Sequence, residues 1–285
     1  MNTDKGITKY PPFSVAMCVY GGDNPEWFDR ALQSITIEQT VKPDEIVIVV
    51  DGPVSNSIRD VINKYADNIN EGYPLNVIWL KENKGLGNAL RVAVENCTHK
   101  IIARMDSDDI SISDRFEQQL SAMMSDDSID IIGGDITEFI GTEEHVVGVR
   151  EVPVSDEDIR KYMRTRCPYN HVAVMYKKKA VQEAGGYLDW HYDEDYYLWL
   201  RMMESGAVFA NTGTVLVNVR VGEDMYQRRG GFKYFKSEVK LQKYMLNHKL
   251  IPISTYISNW MKRFVLQVLM PNSLRAWVYK KFARS

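Results

Sequence analysis

The chain has 285 residues, 45% of them hydrophobic, and a formal net charge of −3. That is the size and balance of one large or two modest globular domains, and it excludes a disordered or fibrous chain. Three widely spaced cysteines, Cys18, Cys97 and Cys167, point to neither a disulfide framework nor a zinc site and imply a reducing compartment.

In chain order, the first half alternates strand and helix. Residues 13–19 read as a buried strand. Asn24-Pro25 then gives an N-cap followed by proline at the first helical position, and Phe28, Leu32 and Ile35 keep helical spacing. Residues 45–50 form a second apolar strand ending at Asp51-Gly52-Pro53, and Ile58, Val61, Ile62 and Tyr65 form a helical stripe. A third strand over 75–80 leads to a helix that begins near Gly85 and carries Leu86, Leu90, Ala93 and Val94. The fourth strand, 100–105, runs into Asp106-Ser107-Asp108-Asp109. Four such steps predict a mainly parallel sheet covered by helices. In open parallel sheets ligands bind beyond the carboxyl ends of the strands, so Tyr20-Gly21-Gly22, Asp51-Gly52, residues 81–85 and residues 106–109 are expected along one crevice.

The second half is less regular. Ser113 is expected to cap a helix carrying Phe116, Leu120 and Met124, and residues 129–140 to form one or two strands broken at Gly133-Gly134. A short polar helix over 155–166, a turn at Gly185-Gly186-Tyr187, and a helix over 192–204 stopped by Gly206 follow. From Phe232 onward the pattern is helical.

The polar groups at the strand ends set the chemistry. Asp106 and Asp108 are two apart and can face the same way as a hard-oxygen pair for a divalent cation that also holds a diphosphate; taken alone, the same letters describe an acidic turn. Asp51 can accept hydrogen bonds from a base or ribose, or simply close an Asp-Gly-Pro turn. Asn83-Lys84-Gly85-Leu86-Gly87-Asn88 offers free N–H groups at a helix start, yet it is neither a dinucleotide fingerprint nor a P-loop. The acids of Asp193-Glu194-Asp195 stand at the start of a helix tied down by Trp199, a placement that suits a general base as well as a helix dipole. His191 and Asp195 are four apart, a metal-ligand spacing that is more often structural. Arg228-Arg229-Gly230-Gly231 offers two guanidiniums beside flexible glycines, a possible diphosphate loop.

The order of these motifs resembles the inverting family 2 glycosyltransferases of the GT-A fold. The matching pieces are Ser14-Val15-Ala16-Met17-Cys18-Val19-Tyr20, Ser34 with Gln39-Thr40, Val49-Val50-Asp51-Gly52, Asn83-Lys84-Gly85-Leu86, Arg104-Met105-Asp106-Ser107-Asp108-Asp109, Gly185-Gly186-Tyr187 and Glu194-Asp195-Tyr196. They span about residues 13–220, and the 228–231 stretch with the basic tail is similar to bacterial members that build exopolysaccharide, capsule or O-antigen.

The resemblance implies an α/β GT-A fold: a Rossmann-like, mainly parallel central sheet flanked by helices, with a C-terminal helical extension. It divides the chain into a catalytic domain over 1–225, with a nucleotide-binding half at 13–110 and an acceptor half at 111–225, and a basic helical region over 226–285. Val19, Tyr20 and Asp51 would hold uridine. Lys84, Gly85 and Asn88 would close around base and ribose, with Arg104 and Ser107 beside the nucleotide. Asp106 and Asp108 match the DXD motif, Asp108 being the direct ligand to Mn2+ or Mg2+ and Asp109 support. Asp195 matches the catalytic base. His171, Trp190 and Glu194 would shape the donor-sugar or acceptor pocket, and Arg228 and Arg229 would assist the diphosphate. Two departures stand out. The late metal-binding histidine of some members is not evident, Val221-Gly222 standing about where it would lie. The Gln-x-x-Arg-Trp motif of processive synthases is missing, so processive synthesis is not expected.

The implied reaction is metal-dependent, inverting transfer of a hexose, galactose or glucose, from a UDP-sugar to an undecaprenyl-diphosphate-linked saccharide, giving a β-linkage. A sugar-phosphate nucleotidyltransferase and a non-catalytic sugar-nucleotide-binding scaffold remain as alternatives.

The tail stands apart in charge. Residues 249–285 hold seven basic residues and no acid, leaving 28 basic and 38 acidic residues, a net of −10, in the remainder. Ile253, Tyr256, Ile257, Trp260, Met261, Phe264, Val265 and Val268 keep helical spacing, and Leu274, Trp277 and Val278 follow with Arg275, Lys280, Lys281 and Arg284. Apolar faces with cationic flanks suit a cytoplasmic membrane surface; packing on the catalytic domain or in a homodimer is the alternative. No nucleic-acid partner is expected. Residues 1–12 are polar and no run of about 18 apolar residues occurs, so neither a secretory leader nor a membrane-spanning helix is expected.

Overall fold

The protein is described from a computed structural model covering residues 10–66, 74–190, 192–222 and 231–271. Strands β1 (Phe13–Tyr20), β2 (Glu45–Asp51), β3 (Leu75–Trp79) and β4 (Ile101–Met105) pair in parallel in the order β3-β2-β1-β4. They are joined by α1 (Pro25–Ile35), α2 (Asn56–Ala66) and α3 (Leu86–Asn96). All seven residues of β2 are buried because alternate side chains serve opposite faces and both faces are covered. Ile46, Ile48 and Val50 meet Phe28, Leu32 and Ile58 of α1 and α2 on one face, while Val47 and Val49 meet Ala89, Leu90 and Ala93 of α3 on the other. The expected cap of α1 is present: the Asn24 side chain accepts the N–H groups of Glu26 and Trp27, ahead of Pro25, satisfying donors that a helix start leaves orphaned.

The second half extends the sheet through β5 (Ile110–Ser111), β6 (Ile131–Phe139), β7 (Val146–Arg150), β8 (Met175–Lys177) and β9 (Phe209–Arg220). The full order is β3-β2-β1-β4-β8-β6-β9-β5, with β7 on β6. Among the described residues β1 to β4, β6 and β9 run one way and β5, β7 and β8 oppose them, so the sheet is mixed and mostly parallel. Helices α4 (Arg115–Ser125), α5 (Asp156–Tyr162), α6 (Lys178–Glu183) and α7 (Glu194–Glu204) cover it. Then come α8 (Phe232–Asn247), α9 (Ile253–Arg263) and a π-helical turn over Phe264–Leu269. Leu241 and Met245 of α8 join the core that holds Trp199 of α7.

Several expectations are corrected. Gly133-Gly134 does not break a strand: β6 is continuous, and the glycines let neighbours approach. A Cβ on Gly133 would lie 2.5 Å from Asn211 Oδ1 and 2.6 Å from the Tyr169 ring, and one on Gly134 would lie 2.6 Å from Leu216. The register against β9 shifts there instead, the local form of a bulge. Asp114, not Ser113, is the N-cap of α4, and α7 begins after Asp193 rather than at Tyr192. Tyr192 cannot be helical because its φ is +64°. The 155–166 helix is shorter than expected, Asp156–Tyr162, capped by Ser155, which accepts the Asp158 N–H. The helical pattern beyond Phe232 is interrupted between α8 and α9, where Lys249 has φ +60°.

Candidate functional site

The carboxyl ends of β1, β2, β4, β6 and β9 share one edge, and the antiparallel β5 and β8 bring their amino ends to it. This collects residues from Tyr20 to Arg220 that no local pattern connects. A cavity of about 1110 Å³ opens there, and Asp106, Asp108, Asp109, His171 and Asp195 line it.

Carboxylate oxygens of Asp106, Asp108 and Asp109 lie within 4.8 Å of one another. Beneath them Arg104, 2% exposed, forks onto Asp106, with Nη1 2.6 Å from Oδ2, a bidentate geometry that fixes the carboxylate. Arg104 itself is held up by Arg115 of α4, which is fully buried and donates to the Arg104 carbonyl at 2.7 Å. Burial and the Arg104 charge pull Arg115 down to about 9. Above these cations the acids repel one another: burial and then the Asp106 charge push Asp108 up to about 6, and burial with Asp108 raises Asp109 well above the carboxylate range. A cluster of hard oxygens whose ionisation is held back by its own crowding fits Mn2+ or Mg2+, since a divalent cation relieves that repulsion. Asp109 is closer to the cluster than a purely supporting residue would be, although one of its oxygens accepts the Arg220 N–H at 2.8 Å. Ser107 faces away from the cluster, donating to Asp23 at 2.8 Å, while Asp23 also accepts the Tyr20 N–H.

Tyr20, Asp51, Lys84, Gly85 and Asn88 form a shelf on the same edge, outside the lining of the cavity. Both oxygens of Asp51 are engaged by the loop before α3, accepting the N–H groups of Lys84 at 2.8 Å and Gly85 at 2.9 Å. Gly52, at φ +89°, lets that loop close down: a Cβ there would sit 2.6 Å from the Asn83 nitrogen. Asp51 is therefore the anchor of the Lys84-Gly85 loop. Lys84 extends to Glu82 at 3.2 Å and Asn88 accepts from Arg91 at 3.0 Å. Val19 is core and offers only its backbone, whereas Tyr20 is 48% exposed at the rim.

On the cavity's far wall Asp195 Oδ1 accepts the Tyr196 N–H at 2.7 Å and Oδ2 accepts the Cys167 thiol at 3.6 Å. Its enclosed setting raises the carboxyl above the usual range, against the hydrogen bond to Tyr196 and the Arg104 charge. Asp193, 4% exposed, also lines this wall, its carboxyl raised well above normal by burial and by Glu238 and Asp195. His171 contacts Tyr187 Oη at 2.9 Å, and desolvation keeps its imidazole neutral. Glu194, pushed up to about 7 by burial and Asp195, lies beside Gly87 of α3, on the nucleotide side of the wall. Trp190 is not brought to the cavity: it is 8% exposed, 4.3 Å from the Tyr197 ring, with Lys240 over its face. Arg228, Arg229, His191 and the 225/226 boundary lie outside the described residues.

Sequence reasoning missed Arg220 and Cys167. The Arg220 guanidinium sits 4.6 Å from both the Trp27 and Phe139 rings and donates to the Asp108 and Gly141 carbonyls, so it braces the loop that carries the acids. An arginine ending an unread strand carries no local signal. Val221 and Gly222, next in the chain, do line the cavity.

Residues 14–184 match glycosyl transferase family 2. The chain belongs to that family. Similar proteins include the amylovoran biosynthesis glycosyltransferase AmsE of Erwinia amylovora, 38% identical over 270 residues that cover 94% of this chain and 98% of that one. The UDP-Gal:alpha-D-GlcNAc-diphosphoundecaprenol beta-1,3-galactosyltransferase of Escherichia coli is 36% identical over 96% of this chain and 97% of its own. Among solved structures, a mannosyltransferase from Pyrobaculum calidifontis in complex with GDP-Man and Mn2+ superposes with a TM-score of 0.63 at 14% identity, covering 98% of this chain and 77% of that one, which shows the GT-A fold. Family membership makes the protein a glycosyltransferase and sets aside the nucleotidyltransferase alternative.

Proposed function

We propose that this glycosyltransferase moves a hexose, galactose or glucose, from a UDP-sugar to an undecaprenyl-diphosphate-linked saccharide with inversion, forming a β-linkage at a cytoplasmic membrane surface. The observation that carries the reading is the crowded Asp106, Asp108 and Asp109 cluster in one cavity with a separate, enclosed carboxylate, Asp195. Two acidic groups with different surroundings suit two different tasks. The similarity to a galactosyltransferase named for a diphosphoundecaprenol acceptor supports the substrate class.

Asp106 and Asp108 would hold Mn2+ or Mg2+, which when bound neutralises charge developing on the diphosphate leaving group. Arg104 and Arg115 keep Asp106 pointed at that site. Asp51 holds the Lys84-Gly85 loop in place, and that loop with the Gly52 turn would form the floor for the uridine. Asp195, its carboxyl raised above the usual range by burial, takes the proton of the acceptor hydroxyl as that oxygen attacks the anomeric carbon from the face opposite the diphosphate. Neutral His171 serves as a hydrogen-bond partner for sugar hydroxyls. The region after Val221, with Arg228 and Arg229, is assigned to the diphosphate side, and residues 226–285 to a basic helical region that follows the catalytic domain of 1–225.

The test is transfer from radiolabelled UDP-galactose and UDP-glucose to a synthetic GlcNAc-diphosphate-lipid, with Mn2+, with Mg2+ and with EDTA. A disaccharide-lipid product whose new bond yields to β-galactosidase or β-glucosidase, and which fails to form in EDTA, is expected. Nucleotide binding without transfer to any lipid-diphosphate acceptor would point to the scaffold reading instead.

A further inference from the structure

Helix α9 and the π-helical turn after it bury polar residues while leaving a row of apolar ones exposed. Their buried residues are polar: Asn259, 2% exposed, and Gln267, 4% exposed. Asn259 donates to Gln242 of α8 at 2.7 Å and to the Arg164 carbonyl at 3.0 Å, and Arg263 forms an ion pair with the buried Glu238. The unit is therefore docked through these polar contacts and through Trp260 and Phe264, whose rings pack on Phe235 of α8 at 5.7 and 5.6 Å. Its outward face is apolar: Ile253, Ile257, Met261, Val265 and Leu269, spaced by four, are 57, 49, 51, 47 and 61% exposed. A surface helix normally presents the opposite pattern, and a continuous exposed apolar stripe marks an interaction face.

The charge of the helical unit that carries the stripe selects the occupant. Residues 232–271 contain six lysines and Arg263 against a single acid, Glu238. That acid is buried and paired with Arg263, whereas Lys233, Lys236, Lys240, Lys243, Lys249 and Lys262 are all exposed. A second copy docked through the same helical unit would bring its excess of cations against an equal excess. An anionic bilayer meets the apolar stripe with acyl chains and the lysines with headgroup phosphates.

We propose that the Ile253-Ile257-Met261-Val265-Leu269 stripe is the membrane-inserting face of this protein and that its partner is an anionic lipid bilayer. The same helical unit carries Lys262, Leu266 and Gln267 on the wall of the cavity that holds Asp106 and Asp195. Insertion therefore sets the cavity at headgroup level, where the diphosphate of a lipid-linked acceptor lies. The membrane contact stands on the stripe and the lysines; only this placement of the acceptor rests on the functional reading above.

Flotation of the full chain with phosphatidylcholine vesicles, with and without phosphatidylglycerol, tests it. The wild type should float with the anionic vesicles and not with the neutral ones. Ile257→Glu with Met261→Glu should weaken that partitioning by about tenfold or more, and the milder pair Val265→Ser with Leu269→Ser should weaken it less, with unchanged thermal melts. Sugar transfer to a short-chain, water-soluble diphosphate acceptor should stay at the wild-type rate in all variants, while transfer to a long-chain acceptor embedded in vesicles should fall with partitioning. Loss of transfer to both acceptors in the wild type would sink the functional reading and leave the vesicle result standing. The membrane proposal is overturned if the wild type ignores anionic vesicles. It is equally overturned if both variant pairs float like the wild type, which would assign the contact to residues 272–285. A dimer in light scattering that Ile257→Glu splits would make the stripe an interface between copies and overturn it too.

Discussion

Replacing Asp195 by Asn changes one atom and removes the group able to take a proton. The structure limits what else it can do. Asn keeps an oxygen for the Tyr196 N–H, 2.7 Å away, and its amide can face the Cys167 sulfur where the carboxylate now accepts the thiol. The fold should lose no more than about 1 kcal/mol, the net worth of one weakened hydrogen bond. The shelf formed by Asp51, Lys84 and Gly85 is untouched, so nucleotide affinity should stay within about threefold, less than the factor of ten that 1.4 kcal/mol represents. The chemical step should suffer most: general-base catalysis is worth about 10²- to 10⁴-fold, or about 2.7–5.4 kcal/mol at 1.36 kcal/mol per decade. Initial transfer rates, UDP titration calorimetry and a thermal melt on the same preparation separate these effects. A kcat within a few-fold of wild type would refute Asp195 as the base. Equal losses in nucleotide binding and turnover would refute it as well, because they would assign the residue to binding.

Four further outcomes follow from the same geometry. The Cys167 thiol favours the charged form of Asp195, so Cys167→Ala should move the acid limb of the kcat/KM profile to higher pH and Cys167→Ser, a stronger donor, to lower pH; a profile identical in all three proteins would reject the contact as functional. Asp51→Ala leaves the Lys84 and Gly85 N–H groups without their charged acceptor, a loss of about 2–4 kcal/mol across two charge-assisted bonds, and UDP affinity should drop at least about tenfold in calorimetry. Asp108 stands near 6 because burial and Asp106 disfavour its charge. The folded protein therefore binds a proton there as pH falls through 6, and Mn2+ affinity, measured by electron paramagnetic resonance, should weaken between pH 7 and pH 5 more steeply than in Asp108→Asn. Gly133→Ala would press a methyl group on Asn211 and Tyr169 and should cost about 1–3 kcal/mol, visible as a lower melting temperature.

Where an element is built from its own letters, the sequence is enough. Four apolar runs with turn residues at their ends, and helical stripes between them, determine β1 to β4 and the helices that cover them, because each run fills a face by period and each helix is capped by its neighbours in the chain. Asn24-Pro25 before α1 and the acids after β4 are of this kind. The motif order likewise carried the family. The second half is different in kind. The pairing of β9 with β6 and β5, and the continuity of β6 through Gly133 and Gly134, depend on partners about 80 to 110 residues away, and period alone cannot choose among such partners. The same holds for the site. Sequence marks Asp106 and Asp195 as acids at the ends of elements. Only the tertiary structure puts Asp109 within 4.8 Å of the Asp106 and Asp108 carboxylates, slides Arg104 and Arg115 beneath them, turns Cys167 onto Asp195 and makes Asp51 an anchor for a loop. It also decides which side of α9 faces out, since burial is a property of what packs nearby. Spacing announced that helix as amphipathic; packing buried Asn259, set Trp260 against Phe235 of α8 and left Ile253, Ile257 and Met261 at the surface.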